Sequence, residues 1–185
     1  MKATQKLINS ILALSNEPKL FKEAVKEWSI YDVKEDSSLQ ESCICGHEGL
    51  YYLFTIKNDL NNNKLYPIGS ICIKKFGRTD LYNEAKIMEQ LFKLYHVMKQ
   101  NDFMALCNTN LLSRNLLRYL YLNDAFKATP YNNYDAYKDY EFMLKMFNKG
   151  FNRTTSSQDK KVGAILLSSV RPFLEKKIGR KVFKK

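Results

Sequence analysis

Histidine occurs twice in the 185 residues, tryptophan once, cysteine four times, proline four times and glycine seven times. So little Gly and Pro leaves few residues for the many tight turns of a sandwich or barrel, and favours a helix-rich fold. No run of 18 or more apolar residues occurs, so no bilayer-spanning helix is expected. The opening "MKATQKLINSILALSNEPK" is interrupted by Asn9 and Ser10, and no small-residue cleavage site follows, so it does not read as a signal peptide. An intracellular protein is expected, in a compartment where clustered thiols bind metal more often than they form disulfides.

Motif absences narrow the chemistry further. A zinc deaminase needs His-x-Glu and Pro-Cys-x-x-Cys; here His47 and Glu48 are adjacent and no Cys-x-x-Cys exists. A zinc protease needs two histidines one helical turn apart, and the only two are His47 and His96. Neither Gly-x-Ser-x-Gly nor a phosphate-binding Gly-Lys-Ser/Thr loop is present. Binding rather than catalysis is therefore expected. A metal-dependent nuclease acting on RNA, built from scattered Asp and Glu, stays as an alternative.

What is present is uneven. Hydrophobic residues make up 45%, enough for one domain spanning 1–185, and the net charge is +11. Residues 145–185 hold 12 basic and 2 acidic side chains, so the positive balance belongs to a basic C-terminal segment. Its end, "KKIGRKVFKK", offers Lys176, Lys177, Arg180, Lys181, Lys184 and Lys185 to an acidic partner. That partner could be RNA, DNA or a protein surface; a solvated terminus that only keeps the chain soluble is the plainer alternative.

Apolar spacing predicts helices over 4–15, 16–27, 80–100, 109–122, 133–148 and 156–176, the second capped by Asn16 and the last disturbed by Pro172. "WSIYDV" reads as a strand over 28–33. "LYYLFTIKN" and "KLYPI" read as a hairpin across the Asn-rich "NDLNNN". The fold class is thus α+β, mainly helical, with a small β element. Tyr131, Tyr134, Tyr137 and Tyr140 recur at helical spacing, which predicts a packing stripe in preference to a base-stacking surface.

Three of the four cysteines fall within 30 residues. Cys43 and Cys45 are two apart and followed by Gly46, which permits a sharp turn. His47 comes next. After the hairpin, "IGSIC" supplies Gly69 for a turn, Ser70 as a helix cap, and Cys72 on the first helical turn, where a thiolate meets the positive helix end. Turn sulfurs, hairpin and helix-start sulfur form a treble-clef-like layout over 28–77. With His47 the set is Cys₃His, a closed structural zinc site. Buried apolar thiols are the alternative. The position one turn beyond Cys72, where a second helix ligand would stand, is Lys75, so Cys107, His96 or a water compete with His47 for the fourth place. Cys107 in "DFMALC" reads as a core residue and His96 as a packed or surface one.

Trp28 in "KEW", "CICGH", the hairpin strand ending in Asn58, and "YPIGSICIKKF" resemble a recurrent motif of small phage and prophage proteins of Gram-positive bacteria, over about residues 27–77. "SSQDKKVGAILLSSVRPFL" is similar to the tail such proteins often carry. Some of them resemble anti-CRISPR proteins, which disable the host's RNA-guided nuclease. The resemblance implies zinc at Cys43, Cys45 and Cys72, and leaves the position of His47 variable. It also implies action in the bacterial host cytoplasm on a type II CRISPR effector nuclease or its guide RNA complex, by blocking target-DNA loading. A nucleic-acid-binding regulator of a phage or mobile element is the second reading, with direct nucleic-acid contact.

Overall fold

A computed structural model describes residues 3–100, 111–150 and 153–179. The protein is a mostly helical α+β chain with one three-stranded antiparallel sheet, and its contacts cluster into two compact units, one up to Met88 and one from Glu89 on. Each is described by itself.

The first unit opens with α1, Ala3–Leu14, which buries Leu7 and Ile11. The next helix begins later than the sequence predicts: α2 covers Phe21–Ala24 and continues as a 3₁₀ turn, Val25–Glu27. Asn16 does not cap it. The Glu17 carboxylate accepts the N–H groups of Lys19 and Leu20, and the N–H groups of Asn16 and Glu17 donate to Glu27. Side chain-to-backbone bonds of this kind compete with the helix and delay it.

Strands β1 (Trp28–Glu35), β2 (Tyr52–Asn58) and β3 (Lys64–Ile68) pair in that order, with Trp28 opposite Asn58 and Phe54 opposite Ile68. The register slips between Ile30 and Asp32, leaving Tyr31 as a bulge. Trp28, Phe54, Ile56 and Ile68 are fully buried beneath the sheet. The Asn-rich turn has a second task besides reversal. Asn58, fully buried, donates to Glu27 (2.6 Å), while Asn61 and Asn63 donate to the Leu14 carbonyl (3.0 and 3.1 Å), one of the orphan acceptors at the end of α1. Trp28 is held by its indole N–H on the Ser15 hydroxyl (2.8 Å) and by Arg78, which donates to the Trp28 carbonyl (2.6 Å).

Two helices follow, α3 (Ser70–Lys74) and α4 (Thr79–Lys99), and the boundary between the units falls within α4. The residue capping α3 is Gly69, not Ser70: the N–H groups of Cys72 and Ile73 both donate to the Gly69 carbonyl.

From Glu89 the described residues form helices and their connections. The elements are α5 (Arg114–Leu122), α6 (Ala136–Lys149), α7 (Ser156–Ile165) and α8 (Arg171–Ile178), with side-chain N-caps at Ser113, Asp135 and Thr155. Leu91, Phe92, Leu116, Leu120, Met143, Val162, Leu166 and Leu174 form its core. Pro172 disturbs the last helical stretch as expected, by a specific route. A π-helical turn, Leu166–Val170, precedes it, and the Arg171 N–H reaches back to the Leu166 carbonyl. The wider turn shifts the bonding by one residue where Pro172 lacks a donor, and the helical run continues through it into α8.

Candidate metal centre

The cysteines belong to the first unit, and a chain of backbone bonds brings them together. Between β1 and β2 the loop is pinned at Asp36. Its carboxylate accepts the Ser38 hydroxyl and N–H, which with the N–H groups of Gln40 and Glu41 hold its pKa below the ordinary range against burial. The loop then tightens into a knuckle. The Cys43 N–H donates to the His47 carbonyl (2.8 Å), the Gly46 N–H donates to the Cys43 carbonyl (2.7 Å), and Gly46 has φ +89°, a left-handed conformation that suits glycine. The Ile44 N–H donates to the Pro67 carbonyl (3.0 Å), tying the knuckle to the end of β3. Two residues beyond β3, α3 begins and delivers Cys72.

The outcome is three buried thiols. Cys72 Sγ lies 3.3 Å from Cys45 Sγ and 3.5 Å from Cys43 Sγ, and all three sulfurs lie within 4.8 Å of one another. The cysteines are free, and these separations far exceed the ~2.0 Å of a disulfide. They approach the edge of about 3.8 Å that follows from a tetrahedron with Zn–S of ~2.3 Å. The hydrogen bond shared with the Cys72 thiol and the N–H groups of Cys45 and Gly69 hold the Cys43 thiol well below its ordinary pKa, against the opposing effect of burial. Cys72, hydrogen-bonded to both other thiols and also buried, is pushed upward. Three soft sulfur ligands supported by backbone N–H donors fit a thiophilic ion such as zinc.

His47 does not join the sulfurs. Its carbonyl is used in the knuckle, its side chain is exposed, and its ring nitrogens lie outside the group. Among the other contenders for the fourth place, His96 belongs to the second unit, edge-on to Tyr95 (5.7 Å), and Cys107 lies outside the described residues. Lys75 donates to Thr4 Oγ1 (3.3 Å). Two residues near the sulfurs have no signal in the sequence for their place there. Gly69, a turn residue by its sequence context, also presents its N–H to Cys43. The Lys6 Nζ stands 3.5 Å from where a β-carbon on Gly46 would be, and nothing in a lysine 40 residues upstream signals this.

The basic segment is only partly described. Lys176 is exposed. Lys177 is half-buried, its ammonium 5.0 Å from the Tyr119 ring centre and 5.7 Å from that of Phe173, so it packs instead of trailing in solvent. Arg180, Lys181, Lys184 and Lys185 lie outside the described residues. The tyrosine stripe departs from expectation. Tyr140 does pack, stacked on Tyr121 at 4.7 Å, but Tyr131, Tyr134 and Tyr137 are exposed. Among the described residues no helix is long and apolar enough to cross a membrane.

The chain matches no protein-family model, no curated protein and no solved structure.

Proposed function

We propose that Cys43, Cys45 and Cys72 hold one structural zinc ion in a treble-clef-like element, and that the protein works by binding, as an inhibitor of a type II CRISPR effector nuclease. The observation that carries the zinc is the group of three buried sulfurs within 4.8 Å, two on a knuckle and one at a helix start, with the hairpin between them. The ion would cross-link segments that are far apart in sequence. His47 faces outward from the same knuckle, so its ring would have to turn in to take the fourth place, and a water is its rival. With His47 turned in, the site would be closed and leave no position at which to activate water, as in a binding protein.

The partner rests on two supports, the resemblance of residues 27–77 and the uneven charge. A positive inhibitor would not mimic DNA. It would meet an acidic lobe of the effector, or its guide RNA, in the host cytoplasm and obstruct the entry of target DNA. The exposed tyrosines favour a second reading, a nucleic-acid-binding regulator.

Purified protein should contain one zinc per chain, and Cys45→Ser should abolish it. Zinc retained with unchanged stability in His47→Ala would give the fourth place to water. Added to an effector–guide complex before target DNA, the protein should prevent DNA binding; added afterwards it should do much less. Effectors that load DNA equally well in its presence would sink the inhibitor reading and leave the zinc untouched.

A further inference from the structure

The segment between α5 and α6 contains an unusually constrained loop. Asn132 is buried, and its side-chain amide is fully engaged. Its Oδ1 accepts from the N–H groups of Thr129 (2.8 Å) and Asp135 (3.2 Å), while its Nδ2 donates to the Lys127 carbonyl (2.7 Å) and to Asp139 Oδ2 (2.8 Å). Asn133 and Tyr134 follow in the left-handed region, at φ +56° and +57°. Non-glycine residues adopt that conformation rarely, and it persists where surrounding bonds over-determine it.

The loop and the first turn of α6 hold aromatic rings in water. Tyr131 is 95% exposed, Tyr134 72% and Tyr137 49%. They contribute little to the core, whereas a tyrosine free to pack would bury most of its ring. Behind them is an aromatic support: Tyr137 stands edge-on to Tyr121 (5.7 Å), which stacks on Tyr140. Lys127, Lys138 and Arg118 are exposed on the same elements. Of the nearby acids, Asp124 is exposed, Asp135 accepts the Tyr137 N–H at the start of α6, and Glu141 faces Lys145 at 3.7 Å. Over its described residues the whole unit has 14 basic and 7 acidic side chains.

Exposed rings could meet an apolar protein surface or nucleobases. The positive balance selects a polyanion, and of the polyanions only a single-stranded nucleic acid also offers free flat faces; a duplex hides its own. We propose that this loop binds single-stranded nucleic acid, with bases stacking on Tyr131, Tyr134 and Tyr137 and phosphates meeting Lys127, Lys138 and Arg118. No effector is needed for such binding, so failure here leaves the inhibitor proposal standing, and failure there leaves this one.

Fluorescence anisotropy tests it, with the intact protein and labelled oligouridylate, oligothymidylate and a hairpin duplex at about 150 mM salt. Single strands should bind more tightly than the duplex. Tyr131→Ala and Tyr134→Ala should each weaken them roughly 5- to 100-fold, while Tyr131→Phe and Tyr134→Phe should stay within about twofold, because stacking needs the ring and not the hydroxyl. Lys127→Gln and Lys138→Gln should each reduce the salt slope by about 0.7. Unchanged circular dichroism would confirm that the exposed substitutions leave the fold intact. Three results would overturn the proposal: no single-strand binding at that salt, alanine variants that bind like the wild type, or alanine variants that lose a protein partner while their oligonucleotide binding is unchanged.

Discussion

Over residues 3–88 the chain carries 11 basic and 11 acidic side chains; the described residues from Glu89 on carry 14 and 7. The neutral unit is held together by polar hubs: Glu27 accepting from Asn58, Asn16 and Glu17, Arg78 on the carbonyls of Val25 and Trp28, and three thiols gathered at one point. The positive unit is held by capped helices around a leucine-rich core. Both units bury an apolar core, and the difference lies in how backbone groups are paired: the loops and strand ends of the first unit have no helix ladder to satisfy them, so it adds directional side-chain bonds and the gathered thiols. Amphipathic helices bury a continuous stripe and need no such tie.

The contrast is broken or sharpened most strongly by removing a thiol. Cys72→Ser should release the zinc and lower the stability of the first unit by several kcal/mol, on the order of 3–5, since metal binding and folding are coupled. Amide hydrogen exchange should show protection lost before Met88 and kept in α5 to α8. Acid should imitate the variant, because thiolates regain protons as they release the ion. Equal loss of protection in both units would mean that they do not hold independently.

Next in size is Leu116→Ala. This side chain is fully buried in the helical unit. Its truncation should cost about 2–5 kcal/mol in a calorimetric or denaturant measurement, with zinc content unchanged. Zinc lost along with helical protection would contradict the division.

Smaller again is Gly46→Ala. Nothing but the flexible Lys6 ammonium crowds the new methyl, so the strain comes from the left-handed backbone, at about 1 kcal/mol. The knuckle should still form, with zinc competed away by a chelator at about fivefold lower concentration. Unaltered zinc affinity would show that the knuckle is not preformed for the ion.

The smallest effect is a pH dependence. Burial pushes the Glu27 carboxyl upward, but the Asn58 amide and the N–H groups of Asn16 and Glu17 outweigh it, and its pKa is lowered from 4.5. A lowered carboxyl contributes stability that is present above its unfolded pKa and lost as pH falls through its folded value. Glu27→Gln should therefore flatten the stability curve of the first unit below about pH 4.5 and leave that of the helical unit unchanged. An unchanged slope would remove Glu27 as a hub.

Much of this was readable in the residues. Alternation in "YLFTIKN", the Asn-rich turn and apolar spacing in "NLLRYLYL" are local signals that place β2, its turn and the end of α5; α5 starts at Arg114, later than the expected 109, because Ser113 caps it. Spacing also singled out Cys43, Cys45 and Cys72, because a glycine turn and a helix start are short-range devices that aim side chains predictably. The late start of α2 was not readable, since Asn16 and Glu17 answer to Glu27, ten residues or more away. What the sequence by itself determined is which residues can ligate, turn and pack, since those are properties of side chains and near neighbours. Which way they face was decided by the tertiary structure. The same helical spacing stacks half-buried Tyr140 on Tyr121 and leaves Tyr131 in water, and the same knuckle turns two thiols inward and His47 outward. Facing depends on what arrives from distant parts of the chain to cover a side chain, and no local pattern records that.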